Sequence, residues 1–494
     1  METIVKVAYD ASVKAVLTLL EKNLLPDVVI RRLTRLLLAG RLRSGYKPTA
    51  ELQLSDLLRF VNSIKEMAIA INTEKPKTQH YELPTAFFEL VLGRNMKYSS
   101  CYFSNDSNSL EDAEEAMLAL YCERAKVEDG QSVLDVGCGW GSLSLYIARK
   151  YSNCKITGLC NSKTQKAFID EKCRKRGIQN IEIIVGDIST FEHEGTYDRV
   201  LSIEMFEHMK NYGELLKKIG RWMKEDSLLF VHCFCHKTFA YHFEDVNDDD
   251  WITRHFFSGG TMPSANLLLY FQEDVTIVDH WLLNGKHYAN TSEEWLKRMD
   301  KEIVAIKEIM ELTYGKEEAV KWMVYWRTFF IAVAELFGYS NGEEWMHMKN
   351  YGELLKKIGR WMKEDSLLFV HCFCHKTFAY HFEDVNDDDW ITRHFFSGGT
   401  MPSANLLLYF QEDVTIVDHW LLNGKHYANT SEEWLKRMDK EIVAIKEIME
   451  LTYGKEEAVK WMVYWRTFFI AVAELFGYSN GEEWMVSHFL FKKK

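Results

Sequence analysis

Residues 208–346 recur unchanged as residues 347–485, a unit of 139 residues. Architectural repeats that stack into one fold have periods of about 20–50 residues and diverge between units. This unit is far longer and carries no mismatch. It begins one residue after Glu207, inside a candidate active-site segment, and ends at Met346, at the threshold of a candidate strand. Those limits are the mark of a recent duplication or of an assembly error, not of an evolved two-domain design. Fold and function therefore have to be legible with one copy set aside.

The repeat also distorts composition. The formal charge is −12, but each copy contributes −7, so a single-copy chain is near −5. Mild acidity excludes a nucleic-acid partner, which needs clustered Lys and Arg to neutralise phosphates. Seven of the 15 Trp lie in each copy and only Trp140 lies outside, so the aromatic richness belongs to the repeated segment. The N-terminal residues lack a basic region followed by an apolar run, and no apolar stretch reaches the about 18 residues that span a membrane. The expectation is a cytoplasmic protein with no stable membrane insertion and with reduced thiols. His232-Cys-Phe-Cys-His236 continues the apolar strand 228–231, so its alternate side chains point to opposite faces and no metal site is expected.

Apolar residues recur at helical spacing through 13–20 and, after Pro26, through 28–38. Gly45-Tyr-Lys-Pro48 breaks the pattern before a further helix over 52–71. Residues 72–78 read as a linker, and helical signals return over 84–92 and 110–126. Short apolar strands at 132–136, 155–159, 181–185, 199–203 and 228–231 then alternate with helices at 143–150, 162–176 and 209–224. That alternation predicts an α/β class with a parallel, doubly wound sheet. Residues 275–278 read as the next strand, and 486–491 as a last one that occurs only once.

Asp135-Val-Gly-Cys-Gly-Trp-Gly141 joins the first strand to a helix. Glycines at 137, 139 and 141 allow a tight turn and close approach of backbone to a ligand. The spacing is neither the dinucleotide fingerprint nor a P-loop. Leu134-Asp-Val-Gly-Cys-Gly-Trp-Gly-Ser-Leu143 is similar to motif I of S-adenosylmethionine (SAM)-dependent methyltransferases. The resemblance implies a Rossmann-like sheet with an N-terminal helical region and a helical cap, and SAM as cofactor. Its site would use Asp135, Gly137, Gly139 and Gly141, with Asn161 and Gln165 at the ribose and Asp187 and Ile188 at the adenine. Asn161 departs from the usual carboxylate, although an amide also bonds a diol.

Further motifs narrow the resemblance: His80-Tyr-Glu-Leu-Pro-Thr-Ala-Phe-Phe88, Met96-Lys-Tyr-Ser-Ser-Cys-Tyr-Phe103, Glu204-Met-Phe-Glu-His-Met-Lys-Asn-Tyr212, Asp248-Asp-Asp-Trp251 and Gly342-Glu-Glu-Trp-Met346. Together they resemble the plant coclaurine N-methyltransferase-like family within the cyclopropane-fatty-acid-synthase superfamily. The family match makes Tyr98 and Ser99 cofactor contacts and Glu82 a substrate contact. It implies N-methylation of a benzylisoquinoline-type amine. Methyl transfer from a sulfonium is an in-line displacement that needs a neutral amine held against the methyl group. Glu204, Glu207 and His208 follow the fourth strand, where an α/β sheet places its cleft, and are the expected catalytic group. Tyr81, Phe257, Trp326 and Phe329 are candidate aromatic walls for a cationic substrate, with core packing as the equal alternative. The competing readings are methyl transfer to an unsaturated lipid and a duplicate disabled for catalysis. The expected partner is a small-molecule amine, and a homodimer is left open.

The domain expectation is 1–78 as a helical region, 79–346 as the methyltransferase domain completed by residues 486–494, and 347–485 as a partial duplicate. Copy one is expected to supply the fifth strand, because it keeps Glu207 and His208 adjacent in the chain. Copy two would lack the glycine loop and expose apolar surface.

Overall fold

Five short apolar segments pair in parallel: Ser132–Val136 (β1), Lys155–Cys160 (β2), Ile181–Val185 (β3), Tyr197–Ile203 (β4) and Met223–His232 (β5), in the order β3-β2-β1-β4-β5. The computed structural model describes residues 2–71, 83–105, 108–246, 250–346, 366–382, 390–396, 399–411 and 414–494. Met1–Tyr46, Phe60–Val275 and His280–Lys349 form one compact unit. Lys47–Arg59, Thr276–Asp279 and Asn350–Lys494 form a second.

Helices between the strands begin and end where side chains can satisfy free backbone groups. Ser109 caps Leu110–Arg124 with a reciprocal bond from Asp112. Ser162 caps Lys163–Arg176, which stops at Gly177 in the left-handed region. In the first unit the helix Lys316–Gly338 is buried along most of its length, in an aromatic core with Phe87, Phe88, Phe256 and Trp295. The Asp27–Gly45 helix lies across it, tied by Arg31 to Glu335 at 3.0 Å and by Arg327 to Asp27 at 2.5 and 2.8 Å.

Copy one does supply β5, which pairs with β4 from Arg199↔Leu228 to Ile203↔His232. The terminal strand does not join it. Trp484–Lys493 pairs antiparallel with Leu367–His375 on one side and Val414–Leu422 on the other, all within the second unit. The expected completion of the first sheet by residues 486–494 is thereby corrected. Residues 275–278 are likewise not a strand, whereas their copies at 414–417 are. The cause is local continuity. Met485 already pairs with Cys374, and Val486 continues the same ladder with no loop to close. In copy one, Met346 pairs with Cys235 in the matching way, but the chain then runs into the repeat and not into Val486. Residues 275–278 lose the neighbour that their copies have.

Phe489 is fully buried in the second unit and stacks on His419 at 4.2 Å. Phe489→Ala should cost that unit about 3–5 kcal/mol, read as a lower denaturant midpoint for its transition. The first unit's transition should stay in place. A shift confined to the first unit would put the terminal strand in the wrong sheet.

Candidate active site

The sheet order reverses between β1 and β4, so the loops leaving their carboxyl ends open side by side. In the first loop Gly137, Gly139 and Gly141 have φ of +84°, +52° and +76°. A Cβ on Gly137 would stand 2.9 Å from Met205 Cγ, and one on Gly141 2.7 Å from Ile169 Cγ1. A Cβ on Gly139 would meet nothing within 4 Å. Two glycines thus serve backbone and packing, and the middle one faces open space. Gly141 also begins the helix Ser142–Lys150, whose free amides favour an anionic group at that end.

One cavity gathers the residues expected at the cofactor: Tyr98, Ser99, Asp135, Gly137, Gly139, Asn161, Gln165, Asp187 and Ile188. Glu204 and His208 share its wall. Gly141 stands behind the wall as the helix cap. Three buried polar groups in the wall, Trp140 Nε1, Ser142 Oγ and Gln165 Nε2, have no hydrogen-bond partner among the described residues. Buried donors left unpaired cost roughly 1–3 kcal/mol each, so this wall is built for a polar ligand. A nucleoside amino acid such as SAM, with its carboxylate, amine, diol and adenine, fits that donor set. Burial raises the Asp135 carboxyl to about 6, against the lowering effect of a 2.7 Å bond from Ser144. Asp187 is oriented by Ser189, whose amide and hydroxyl both donate to Oδ1.

The second loop opens with Glu204 in the left-handed region, at φ +48°. A non-glycine residue there costs about 1–2 kcal/mol, and the surroundings hold it. Its amide donates to the His232 carbonyl at 2.7 Å. Its carboxylate accepts from the Ser100 amide at 2.8 Å and the Tyr288 hydroxyl at 3.0 Å. His232 Nε2 lies 3.4 Å away, without hydrogen-bond alignment. Glu207 is fully buried and does not line the cavity. Its Oε1 accepts from the Phe234 amide at 2.6 Å, and its Oε2 has no partner among the described residues. Burial, then the nearby Glu204, pushes the Glu207 carboxyl well above the usual range. His208 is pushed down to about 4 by burial, opposed by Glu204, and its ring stacks on Phe257 at 6.1 Å.

Of the expected aromatic walls, Phe257 is joined to the site through His208. Trp326 and Phe329 are buried in the core around Phe256, at 5.2 and 4.4 Å between ring centres, and do not line the cavity. Tyr81 and Glu82 lie outside the described residues, as do Asp248, Asp249 and the duplicate His347. Sequence reasoning missed Tyr288, which reaches Glu204 from the helix Lys286–Lys301 without any motif to mark it. It also missed the orphaned Trp140 and Ser142, although both stand inside or beside the glycine loop.

The glycines separate ligand binding from folding. Gly139→Asp places a side chain and a charge in open cavity and should abolish S-adenosylhomocysteine binding with the circular-dichroism spectrum retained. Gly141→Ala forces a Cβ onto Ile169 and should lower the unfolding midpoint as well. Unchanged calorimetric binding in Gly139→Asp would remove the cofactor assignment.

Residues 70–338 match the mycolic acid cyclopropane synthetase family, and residues 341–476 match it again. The (S)-coclaurine N-methyltransferase of Thalictrum flavum subsp. glaucum is 50% identical over 331 residues, 66% of this chain and 92% of that protein. Pavine N-methyltransferase of the same plant is 46% identical over 330 residues, 66% of this chain and 93% of that protein. A crystal structure of coclaurine N-methyltransferase bound to N-methylheliamine and SAH is 49% identical. Its TM-score is 0.67, over 68% of this chain and 98% of that one. The chain therefore belongs to the mycolic acid cyclopropane synthetase family, in its coclaurine N-methyltransferase-like branch.

Proposed function

We propose that this protein is a SAM-dependent N-methyltransferase acting on a benzylisoquinoline-type amine. The observation that carries the reading is the single cavity in which the glycine loop, Asn161, Gln165 and Asp187 meet Glu204 and His208. Relatives of nearly full length with this activity support it. The cofactor supplies the methyl group as a sulfonium. The chain's residues bind, orient and handle the proton.

Asp187, Asn161 and Gln165 hold the nucleoside, and the loop amides with Ser142 take the amino-acid end. Glu204, anchored by Ser100 and Tyr288, presents a carboxylate toward a cationic amine. His208 is neutral through the physiological range and accepts the amine's proton at an imidazole nitrogen. Glu207 supports the loop through its bond from the Phe234 amide. Phe257, stacked on His208, offers an aromatic face to a benzylic cation. The disabled-duplicate reading loses ground because copy one places His208 in the same cavity wall as Glu204 and Met205. Cytoplasmic residence is part of the proposal, supported by ten free cysteines. No described helix is long and apolar enough to cross a membrane.

Labelled SAM with coclaurine-like amines, run beside unsaturated phospholipids, tests the substrate class: label should enter the amine alone. His208→Ala should lower kcat by about 10²–10⁴-fold if the imidazole moves the proton, and His208→Ala with His347→Ala should lose no more. A loss under about tenfold would reduce His208 to positioning. Because His208 stays neutral down to about pH 4, the rate should climb with pH as the amine deprotonates. No inflection near 6.5 is expected.

A further inference from the structure

Two cysteines stand in the wall of the cavity assigned above to SAM, and that assignment gives neither a role. Cys138 lies between Gly137 and Gly139 at 7% exposure, and Cys160 ends β2 at 4%. Strand pairing brings them together. Val136 is opposite Leu159, and the amides of Gly137 and Cys138 both donate to the Leu159 carbonyl, at 2.9 and 3.0 Å. Gly158 leaves room beside them, since a Cβ there would stand 3.0 Å from Cys138 Sγ. The two thiols are close enough that each shifts the other's ionisation, and Cys160 Sγ donates to the Ser162 carbonyl at 3.4 Å. No other cysteine lines this cavity.

The pair is chemically asymmetric. The neighbouring Cys138 and the charge of Lys166 hold the Cys160 thiol below its usual value, while Cys160 and burial hold Cys138 well above it. Cys160 is therefore the better thiolate nucleophile and Cys138 the adjacent resolving thiol. The bland alternative is a packed pair of small side chains beside Leu145, Ile169 and Ile183.

We propose that Cys138 and Cys160 form a peroxide-driven disulfide that closes the cofactor cavity when no cofactor is bound. The proposal rests on the reading of this cavity as the SAM site. The Cys160 thiolate attacks one oxygen of hydrogen peroxide. The O–O bond breaks, a sulfenic acid forms, and hydroxide leaves as water with the thiol's proton. Cys138 Sγ then attacks the sulfenic sulfur, the S–O bond breaks, the S–S bond forms and a second water leaves. Two thiols lose two electrons and one peroxide gains them. A bond of about 2.05 Å would draw the glycine loop against β2 and disturb the left-handed turns at Gly137 and Gly139. Bound cofactor would cover both sulfurs.

The full chain is incubated with hydrogen peroxide, with and without S-adenosylhomocysteine, alkylated, and digested with trypsin without reduction. The informative peptides, residues 127–149 and 156–163, both lie outside the repeat, so their mass is unambiguous. The linked pair should dominate, and prior S-adenosylhomocysteine should suppress it. Calorimetry should show affinity weakened by about tenfold or more and restored by dithiothreitol. Cys160→Ser should yield no linked peptide, and its own affinity before and after peroxide should agree within about twofold. The proposal is overturned by no link in the wild type or by equal linkage with ligand bound. It is equally overturned by linkage without loss of affinity or by loss that persists in Cys160→Ser. If the untreated chain fails to bind S-adenosylhomocysteine, the cofactor reading fails, and the peptide map still decides the thiol pairing.

Discussion

The pairing of β1 with β4 sets the site. Val133, Leu134 and Asp135 lie beside Arg199, Val200 and Leu201, and the Ser202 hydroxyl donates to the Val136 carbonyl at 3.1 Å. These strands are about 65 residues apart in the chain, yet their carboxyl ends finish at one level. The glycine loop leaves one end and Glu204 the other, so a cofactor against the first faces Glu204 and His208 across one cavity. Met205 packs against Gly137, where a Cβ would clash, and that glycine therefore belongs to the approach of the two loops as much as to the turn.

The duplication shows how much of a fold lies outside the residues that compose it. The same 139 residues fold in two surroundings. Trp295 is 1% exposed and its copy Trp434 40%; Ile331 is 0% exposed and Ile470 39%. Two long helices are retained, Lys286–Lys301 recurring as Lys425–Lys440 and Lys316–Gly338 as Lys455–Gly477. The cover is not, because the helices Asp27–Gly45 and Thr85–Val91 occur once and pack in the first unit. Each large apolar side chain left open forgoes about 1.5–3 kcal/mol of burial. Glu335 is buried against Arg31 and Arg35, whereas its copy Glu474 is exposed. Local sequence makes the helices, and non-repeated residues make the core.

Much of the first unit was legible in the sequence because its signals are local. Five short apolar runs separated by helical stretches specify a parallel sheet, and a glycine loop after the first run marks the ligand end. Asp187 and Asn161 follow from their places after β3 and β2. Three things were not legible. The allegiance of residues 486–491 could not be read from two identical acceptors, and was settled by the Met485–Cys374 pairing already in place. The strand expected at 275–278 depended on that same neighbour. Trp326 and Phe329 sit on a helix whose apolar residues run nearly all round, so no periodicity separates a face toward a ligand from faces toward the core.

The acid–base segment shows why three ionisable residues within five positions need not share a charge state. The Glu204 carboxyl accepts from two donors, the Ser100 amide and the Tyr288 hydroxyl. Glu207 has one amide donor, no solvent, and Glu204 nearby, so its carboxyl is raised well above the usual range. His208 has no solvent to stabilise an imidazolium, and Glu204 only partly offsets that loss. The segment thus sets Glu204 and an unprotonated imidazole in the cavity wall, with a buried carboxyl of raised pKa behind them. A second anion there would hold an ammonium substrate in its protonated form, which has no lone pair to give. In the proposed reaction Glu204 alone would draw the cation in, and the unprotonated His208 imidazole beside it would take the proton.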